Sequence, residues 1–343
     1  MIYAGIDVGG TNIKAALVSG DAQILEKRII PFPGGGYKNV AGIVEDLIRR
    51  MLSQGGYTPE DAASIGLAVP GSIDPGGSRV IHAYNLDFHD APLKREMERR
   101  FSGIPVALGN DADAAALAEL YRGALRGCRT GVLLTLGTGV GGGVILNGRL
   151  FKGGMGHGVE LGHMCLIHGG PVCTCGNRGC METVCTASWL AEQGRRAARK
   201  DRGGLIAQRA GNNLERVNGK TVFDCAKAGD KAALAIVSRY IDYLSSAISS
   251  VAVLLDPEVV ALGGGVSLAG EFLFAPLRKQ VKEKSFFKFN HKIVAAEMGN
   301  DAGVVGAAML WEHQNHGRPG QGKGTGWINR RKGTKPGGQG RKR

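Results

Sequence analysis

Long apolar runs, acidic residues near the C-terminus and an even set of cysteines are all missing from this sequence, and each absence excludes something. No stretch of the 343 residues reaches the ~18 uninterrupted apolar positions of a membrane-crossing helix. The opening MIYAGIDVGG has no basic segment ahead of an apolar one and carries Asp7 early, so no secretory signal is expected. The expectation is a soluble, cytoplasmic protein with no membrane contact. Seven cysteines are an odd number, and three of them fall within 173–180, which suits a reduced compartment better than a disulfide framework. Cys128, Cys165, Cys185 and Cys225 are expected as core thiols.

Residues 317–343 hold nine Lys or Arg, nine Gly and no Asp or Glu. Without them the chain has 34 basic against 30 acidic residues, so the net charge of +13 falls to +4. Apart from Trp327 and Ile328 this segment has almost nothing to bury, and a disordered, Gly-rich basic tail is expected. Its simplest role is a solvated extension; the alternative is a weak contact with a polyanion. One Trp is too little for a stacking platform. The remaining length is enough for two core-forming lobes.

The most concentrated chemistry lies in 160–182, ELGHMCLIHGGPVCTCGNRGCME. His163, Cys173, Cys175 and Cys180 bring four soft or borderline ligand atoms together, with two glycines between the last two cysteines. Tetrahedral structural Zn²⁺ takes this donor set, and Gly176 and Gly179 let a short knuckle turn back through positive φ. Buried free thiols are the alternative. With four protein ligands the site would be closed, bracing Glu160 and Glu182 rather than activating water.

Elsewhere the pattern alternates strands and helices. Strands are expected at Ile2–Asp7, Asn12–Val18 and Gln23–Ile30, and a helix at Val40–Gln54 from the spacing Val40, Ile43, Val44, Leu47, Ile48, Met51. Thr58 reads as a cap for a further short helix. A strand at Ile65–Val69 ends in Pro70-Gly71-Ser72, and Val80–Leu86 reads as strand and loop. Pro105–Leu108 leads to Gly109-Asn110-Asp111 and a helix at Ala114–Leu125. Thr130–Leu136, the turn 137–143 and Val144–Leu146 follow. Helices are expected at Ala187–Arg199, Val222–Leu255 and Val304–His313, with strands at Glu258–Leu262 and Lys292–Glu297.

Gly9 and Gly10 permit a hairpin whose backbone N–H groups face an anion, with Thr11 adding a hydroxyl, Lys14 a cation and Asp7 a carboxylate for Mg²⁺. A ligand-free hairpin uses glycine in the same way. IDVGGTNIKAALVSGDAQIL and LLTLGTGVGGGVILNGRLF share the order strand, Gly/Thr turn, strand, polar turn, strand, which suggests an internal duplication spaced by about 130 residues. The glycines of 137–142 lie between two strands, which argues against a dinucleotide site at a helix start. Asp111 is either an N-cap or a carboxylate at the mouth of a cleft, and Asn85 either meets a ligand or caps a turn.

These pieces together resemble the ROK family of repressors and sugar kinases, above all its bacterial glucokinases. The matching residues are Asp7-x-Gly-Gly-Thr11, Pro70-Gly71, Asn85-Leu86, Gly109-Asn110-Asp111-Ala112, Leu136 to Gly143, Glu160-x-x-His163, the cysteine knuckle through Glu182, Gly263 to Val266, and Gly299 to Gly303. They cover the chain from residue 1 to about 315. The resemblance implies an α/β, actin-like (ribonuclease H-like) duplicated ATPase fold with two lobes around a central cleft. It implies a small lobe at 1–112 with a return helix at 302–316, and a large lobe at 113–301 holding the knuckle 163–180.

The activity implied is transfer of phosphate from ATP with Mg²⁺ to the 6-hydroxyl of glucose, by a homodimer or larger homo-oligomer. The resemblance makes Asp111 the base; it places Gly71, Asn85, Asn110, Asp111, Glu160, His163 and Glu182 on the sugar. It places Asp7, Gly9, Gly10, Thr11, Asn12, Lys14, Gly137, Thr138, Gly139, Gly263, Gly264 and Gly265 on the nucleotide. His163, Cys173, Cys175 and Cys180 would hold Zn²⁺. A kinase for N-acetylglucosamine, N-acetylmannosamine or fructose is the alternative, and polyphosphate an alternative donor. A sugar-responsive repressor is disfavoured, because the hairpin starts at Asp7 and leaves no room for a helix-turn-helix module. Truncation after His316 is expected to leave hexose kinetics unchanged while removing any salt-sensitive affinity for heparin or polyphosphate; altered kinetics would give the tail a part in turnover.

Overall fold

The structure is a computed structural model that describes residues 1–288 and 291–316, so the basic tail expected at 317–343 lies outside it. Three strands open the chain, β1 (Ile2–Val8), β2 (Asn12–Ser19) and β3 (Ile24–Pro31). They pair antiparallel, and the first turn closes where the Gly9 N–H donates to the Asn12 carbonyl at 2.9 Å. Helix α1 (Gly36–Gln54) buries Val40, Val44, Ile48 and Met51, the helical spacing read from sequence. Thr58 and Asp61 then form a capping box around the single turn Pro59–Asp61.

β4 (Ala62–Val69) returns to the sheet beside β1, in parallel. A small sheet of β5 (Ser72–Ile73), β6 (Val80–Ala83) and β7 (Phe88–Ala91) and helix α2 (Leu93–Arg100) precede β8 (Val106–Asn110). The first large sheet has the order β3-β2-β1-β4-β8.

Helix α3 (Asp111–Arg122) leads into β9 (Gly131–Leu136), β10 (Val140–Leu146) and β11 (Arg149–Leu150). After the cysteine knuckle come α4 (Ala187–Lys200), α5 (Leu205–Arg209), α6 (Gly219–Lys227) and α7 (Lys231–Leu255). The chain closes with β12 (Val259–Gly263), α8 (Glu271–Lys284), β13 (Lys292–Ala295) and α9 (Ala302–His316). The second large sheet has the order β11-β10-β9-β12-β13, again an antiparallel three-strand ribbon followed by two parallel strands. One topology is thus used twice, as the repeated strand–turn–strand segments suggest. Among the described residues, no helix is long and apolar enough to cross a membrane.

The lobes exchange helices. α3 follows the first sheet in sequence but packs Ala115 and Ala116 with Leu133 and Ile145 of the second, whereas α9 follows the second sheet and packs on β1 and β4. The approach of α9 is very close. Gly5 and Gly66 are register partners on β1 and β4, and a Cβ on Gly66 would sit 1.7 Å from the Ala307 carbonyl oxygen. A Cβ on Gly306 would sit 1.6 Å from the Ala114 carbonyl oxygen of α3. Val304 to Leu310 are buried on every side, which a helix between a sheet and another helix requires.

Several sequence expectations are corrected. The helix expected over Val222–Leu255 is two helices, because Gly229 takes φ 86° and the Asp230 side chain caps α7 by accepting from the Ala233 N–H at 2.8 Å. Helix α3 begins at Asp111 rather than Ala114, with Asn110 as its cap. Gly141, Gly142 and Gly143 belong to strand β10 rather than to the turn, since a Cβ on Gly143 would lie 2.4 Å from the Ala116 Cβ. Two helices carry weak sequence signals. α2 buries only Leu93 and Met97 among charged residues, and α8 contains Pro276. Cys165 is exposed in the knuckle instead of lying in the core, where Cys128, Cys185 and Cys225 are buried.

Gly66→Ala is expected to cost about 3 kcal/mol or more and to lower the melting temperature, read by calorimetry, because the added methyl meets backbone that cannot move alone. Gly154→Ala, which meets nothing within 4 Å, is the matched control and is expected to leave it unchanged.

Candidate active site

The N-terminus of α3 sets the centre of the cleft. Asn110 accepts from the Ala112 N–H at 2.8 Å and the Asp113 N–H at 3.3 Å, and donates to the Gly71 carbonyl at 3.1 Å. Its oxygen is taken up by the helix N-terminus, whereas its NH2 has a second hydrogen beyond the one given to Gly71, which can meet a sugar oxygen without exchange. Gly71 has φ 99°, and a Cβ there would reach 2.3 Å from the His82 carbonyl oxygen, so only glycine fits. Asp111 is the first helical residue, and one of its carboxylate oxygens accepts from the Ala112 N–H at 2.9 Å. Burial pushes its carboxyl above the ordinary value; the charges of Asp7 and Glu160 push the same way. Asp7, Asp111 and Glu160 therefore share one cleft.

Asp7 is paired with Lys14 at 3.2 Å, its register partner on β2. Lys14 also donates to the Asn300 carbonyl at 3.0 Å, just ahead of α9. Gly303 of α9 lies against the same carboxylate, where a Cβ would be 2.6 Å from it. Thr11 and Asn12 are exposed beside this hairpin, and the Asn85 amide is packed over Gly10.

In the other lobe, Gly137 closes its turn by donating to the Gly139 carbonyl at 3.0 Å. Gly264 takes φ 80° against the Leu136 backbone, 2.4 Å from a would-be Cβ to the Leu136 carbonyl oxygen. Gly264 therefore packs on Leu136 at the end of β9, and Gly263 lies beside Thr135, next to the turn of Gly137, Thr138 and Gly139. The sequence-predicted glycines are assembled into two groups: Gly9 and Gly10 in one lobe, the rest in the other.

The knuckle folds as the glycines require, with Gly176 at φ 88° and Gly179 at φ 76°. The ligand atoms of His163, Cys173, Cys175 and Cys180 lie within 4.8 Å of one another. Cys173 Sγ is 3.6 Å from His163 Nδ1, and Cys175 Sγ is 3.7 Å from Cys180 Sγ. A tetrahedral ion with ~2.3 Å bonds to sulfur and ~2.0 Å to nitrogen needs donors ~3.5–3.8 Å apart. The cluster thus fits a four-coordinate metal ion, and it leaves Nε2 of His163 outside the ligand set. Glu160 is exposed, while Glu182 is half-buried and accepts from the Val140 N–H at 2.9 Å.

Residues 3–314 match the ROK family. The chain belongs to the ROK family. It is 39% identical over 311 residues to the glucokinase of Thermotoga maritima, covering 89% of this chain and 96% of that one. It is 33% identical over 312 residues to the N-acetylmannosamine kinase of Citrobacter koseri, covering 90% and 98%. Among solved structures, a ROK family glucokinase of Streptomyces griseus in complex with glucose and AMPPNP superposes with a TM-score of 0.75 at 30% identity, covering 90% of this chain and 99% of that one. The fold is the actin-like ROK kinase fold, two lobes around a cleft.

Two buried carboxylates of this ROK chain escaped the sequence reading in their roles. Glu119 is fully buried, and its oxygens accept from the backbone N–H groups of Ala124 at 2.7 Å, Met298 at 2.8 Å and Glu297 at 3.1 Å. It fastens α3 to the segment that leads into α9. A lone acid in the run AAALAEL was its only signal. Asp113 is 6% exposed, and burial raises its carboxyl to about 6, with Lys152 opposing the shift and Glu160 and Asp111 adding to it.

Because that folded value lies above the unfolded one of 3.8, the proton-bound form is favoured in the fold. The stability this contributes is present below pH 3.8 and is lost as pH rises through about 6. Asp113→Asn is therefore expected to raise stability at pH 8 by on the order of 3 kcal/mol and to change it little at pH 4. Denaturant titration at the two pH values checks this; an equal effect at both would remove the buried charge as the cause.

Proposed function

We propose that this protein is a glucokinase, transferring the γ-phosphoryl group of ATP to the 6-hydroxyl of glucose. The observation that carries the reading is Asp111, a carboxylate of raised pKa at the mouth of α3, facing the Asp7–Lys14 pair across the cleft. Phosphoryl transfer asks a protein for positioning and charge neutralisation more than for covalent chemistry. Asp111 uses one oxygen to hold the helix terminus and leaves the other for the sugar hydroxyl. It orients that hydroxyl and takes its proton late, and the raised pKa makes it a better acceptor than an ordinary Asp.

With the Gly9 and Gly137 N–H groups closing their own turns, the N–H groups of Gly10, Thr138 and Gly139 are the ones offered to the phosphates, and Gly263 to Gly265 leave room for the nucleotide beside them. Asp7 would hold the Mg²⁺ that accompanies ATP, which would supply charge neutralisation at the transferred phosphate. In the knuckle, Zn²⁺ on His163, Cys173, Cys175 and Cys180 supplies a rigid brace. Nε2 of His163, Glu160, Asn85 and Gly71 then form the wall that receives sugar hydroxyls. With this reading go a cytoplasmic location and a place at the entry of glycolysis. Closure of the lobes would exclude water as a competing acceptor.

A second reading, N-acetylmannosamine as substrate, is supported by the 33% identity to a kinase of that sugar. A coupled ADP-release assay over a panel of hexoses decides between them: a higher kcat/KM for glucose is expected, and a higher value for an acetylated amino sugar would replace the first reading by the second. Asp111→Asn is expected to lower kcat by at least ~10³ with glucose still bound and metal content unchanged. Near-full turnover in that variant would remove Asp111 as the base. Cys175→Ser is expected to lose zinc by elemental analysis and to weaken glucose binding.

A further inference from the structure

The carboxylate of Glu182 lies between the Gly137–Gly139 turn and the metal-ligand cluster. One oxygen accepts from the Val140 N–H at 2.9 Å, at the end of the Gly137–Gly139 turn. A Cβ on Gly139 would come within 2.6 Å of that same oxygen, so the carboxylate lies directly on the turn. The other oxygen is 4.0 Å from Cys173 Sγ, at the edge of the metal cluster. The segment after Glu182 grips the same turn twice more. The Ala187 N–H donates to the Gly137 carbonyl at 2.8 Å, and the Ser188 hydroxyl to the Thr138 carbonyl at 3.4 Å. Gly137 and Thr138 of the turn, and Val140 just after it, are thus held from one short stretch of chain, 182–188, which begins two residues after Cys180.

We propose that Glu182 is a positioning residue for the nucleotide, setting the direction of the phosphate-facing N–H groups of the Gly137–Gly139 turn from the cysteine knuckle. This rests on the kinase reading and extends it, because a sugar-side role for Glu182 predicts no effect on nucleotide bound alone. The physical reason is the geometry of a glycine turn. The Gly137 N–H is already spent on the Gly139 carbonyl, so the turn's N–H groups for an anion are those of Thr138 and Gly139, and groups that meet an anion cannot also hold the turn. Support has to come from its carbonyls and from the flanking N–H, and those are the atoms that 182–188 contacts. A carboxylate suits the flanking N–H because charge-assisted hydrogen bonds are short and strong. It also accepts only, so it cannot compete for the phosphate.

The test is calorimetric titration of the full chain with Mg²⁺ and a non-hydrolysable ATP analogue in the absence of sugar, with glucose titrated separately. Glu182→Leu keeps the length and removes the acceptor, and nucleotide Kd is expected to rise about tenfold. Glu182→Gln retains a carbonyl for the Val140 N–H and is expected to restore nucleotide Kd to within about twofold of wild type. Ser188→Ala, at an exposed position outside the core, keeps the test decisive should Glu182→Leu fail to fold, with an expected rise of about two- to threefold. Wild-type nucleotide affinity in Glu182→Leu, or in Ser188→Ala if the leucine variant is unfolded, overturns the proposal. A wild-type protein that binds no nucleotide overturns the kinase reading itself, and this inference with it.

Discussion

The site depends on how closely α9 can lie on the first sheet. Gly5 and Gly66 face each other on neighbouring strands, and together they leave a bare strip of backbone under Val304 and Ala307. Gly306 does the same on the opposite side of the helix, against Ala114 of α3. With side chains at these places α9 would stand off from both neighbours, and its first turn would no longer reach Asp7. Gly303 touches the Asp7 carboxylate, and the Asn300 carbonyl just before it holds Lys14. Glu119 locks the approach to this crossing with three backbone hydrogen bonds. The charge centre of one lobe is therefore positioned by a helix whose preceding strand belongs to the other.

That arrangement concentrates negative charge. Asp7 and Glu160 act on Asp111, and Glu160 and Asp111 act on Asp113, while Lys152 opposes them at Asp113 and Lys14 pairs with Asp7. The cost is visible as the raised carboxyls of Asp111 and Asp113, whose protons are held more tightly because ionisation in this cleft is unfavourable. A cleft of this kind favours a partner that brings positive charge with it. A divalent cation such as Mg²⁺ is such a partner, and under the kinase reading the raised carboxyl of Asp111 suits it to accept a hydroxyl proton.

Much of this was legible in the chain before any fold was known, and the reason lies in the kind of residue. The knuckle glycines Gly176 and Gly179 take the positive φ that their place between ligands suggests, and four ligand atoms converge as the donor types imply. A helix start near Asp111 is legible too, although the cap is Asn110 and Asp111 is the first helical residue. Other positions could not be read in the same way. The break between α6 and α7 turns on one glycine and one Asp in an otherwise continuous apolar pattern. Cys165 looks like any other thiol until the knuckle places it at the surface.

The sequence by itself determined the local chemistry: which turns need glycine, which residues can ligate a metal ion, and where strands give way to helices. Each of these follows from the properties of a residue and its near neighbours. Only the tertiary structure decided that α3 and α9 change lobes, that Glu119 is a clamp, and that Glu182 faces the Gly137–Gly139 turn as well as the knuckle. Those facts rest on contacts between segments up to about 300 residues apart, such as Gly5 with Val304 and Glu119 with Glu297 and Met298. Side-chain type does not encode such contacts; close packing of backbone against backbone brings them about.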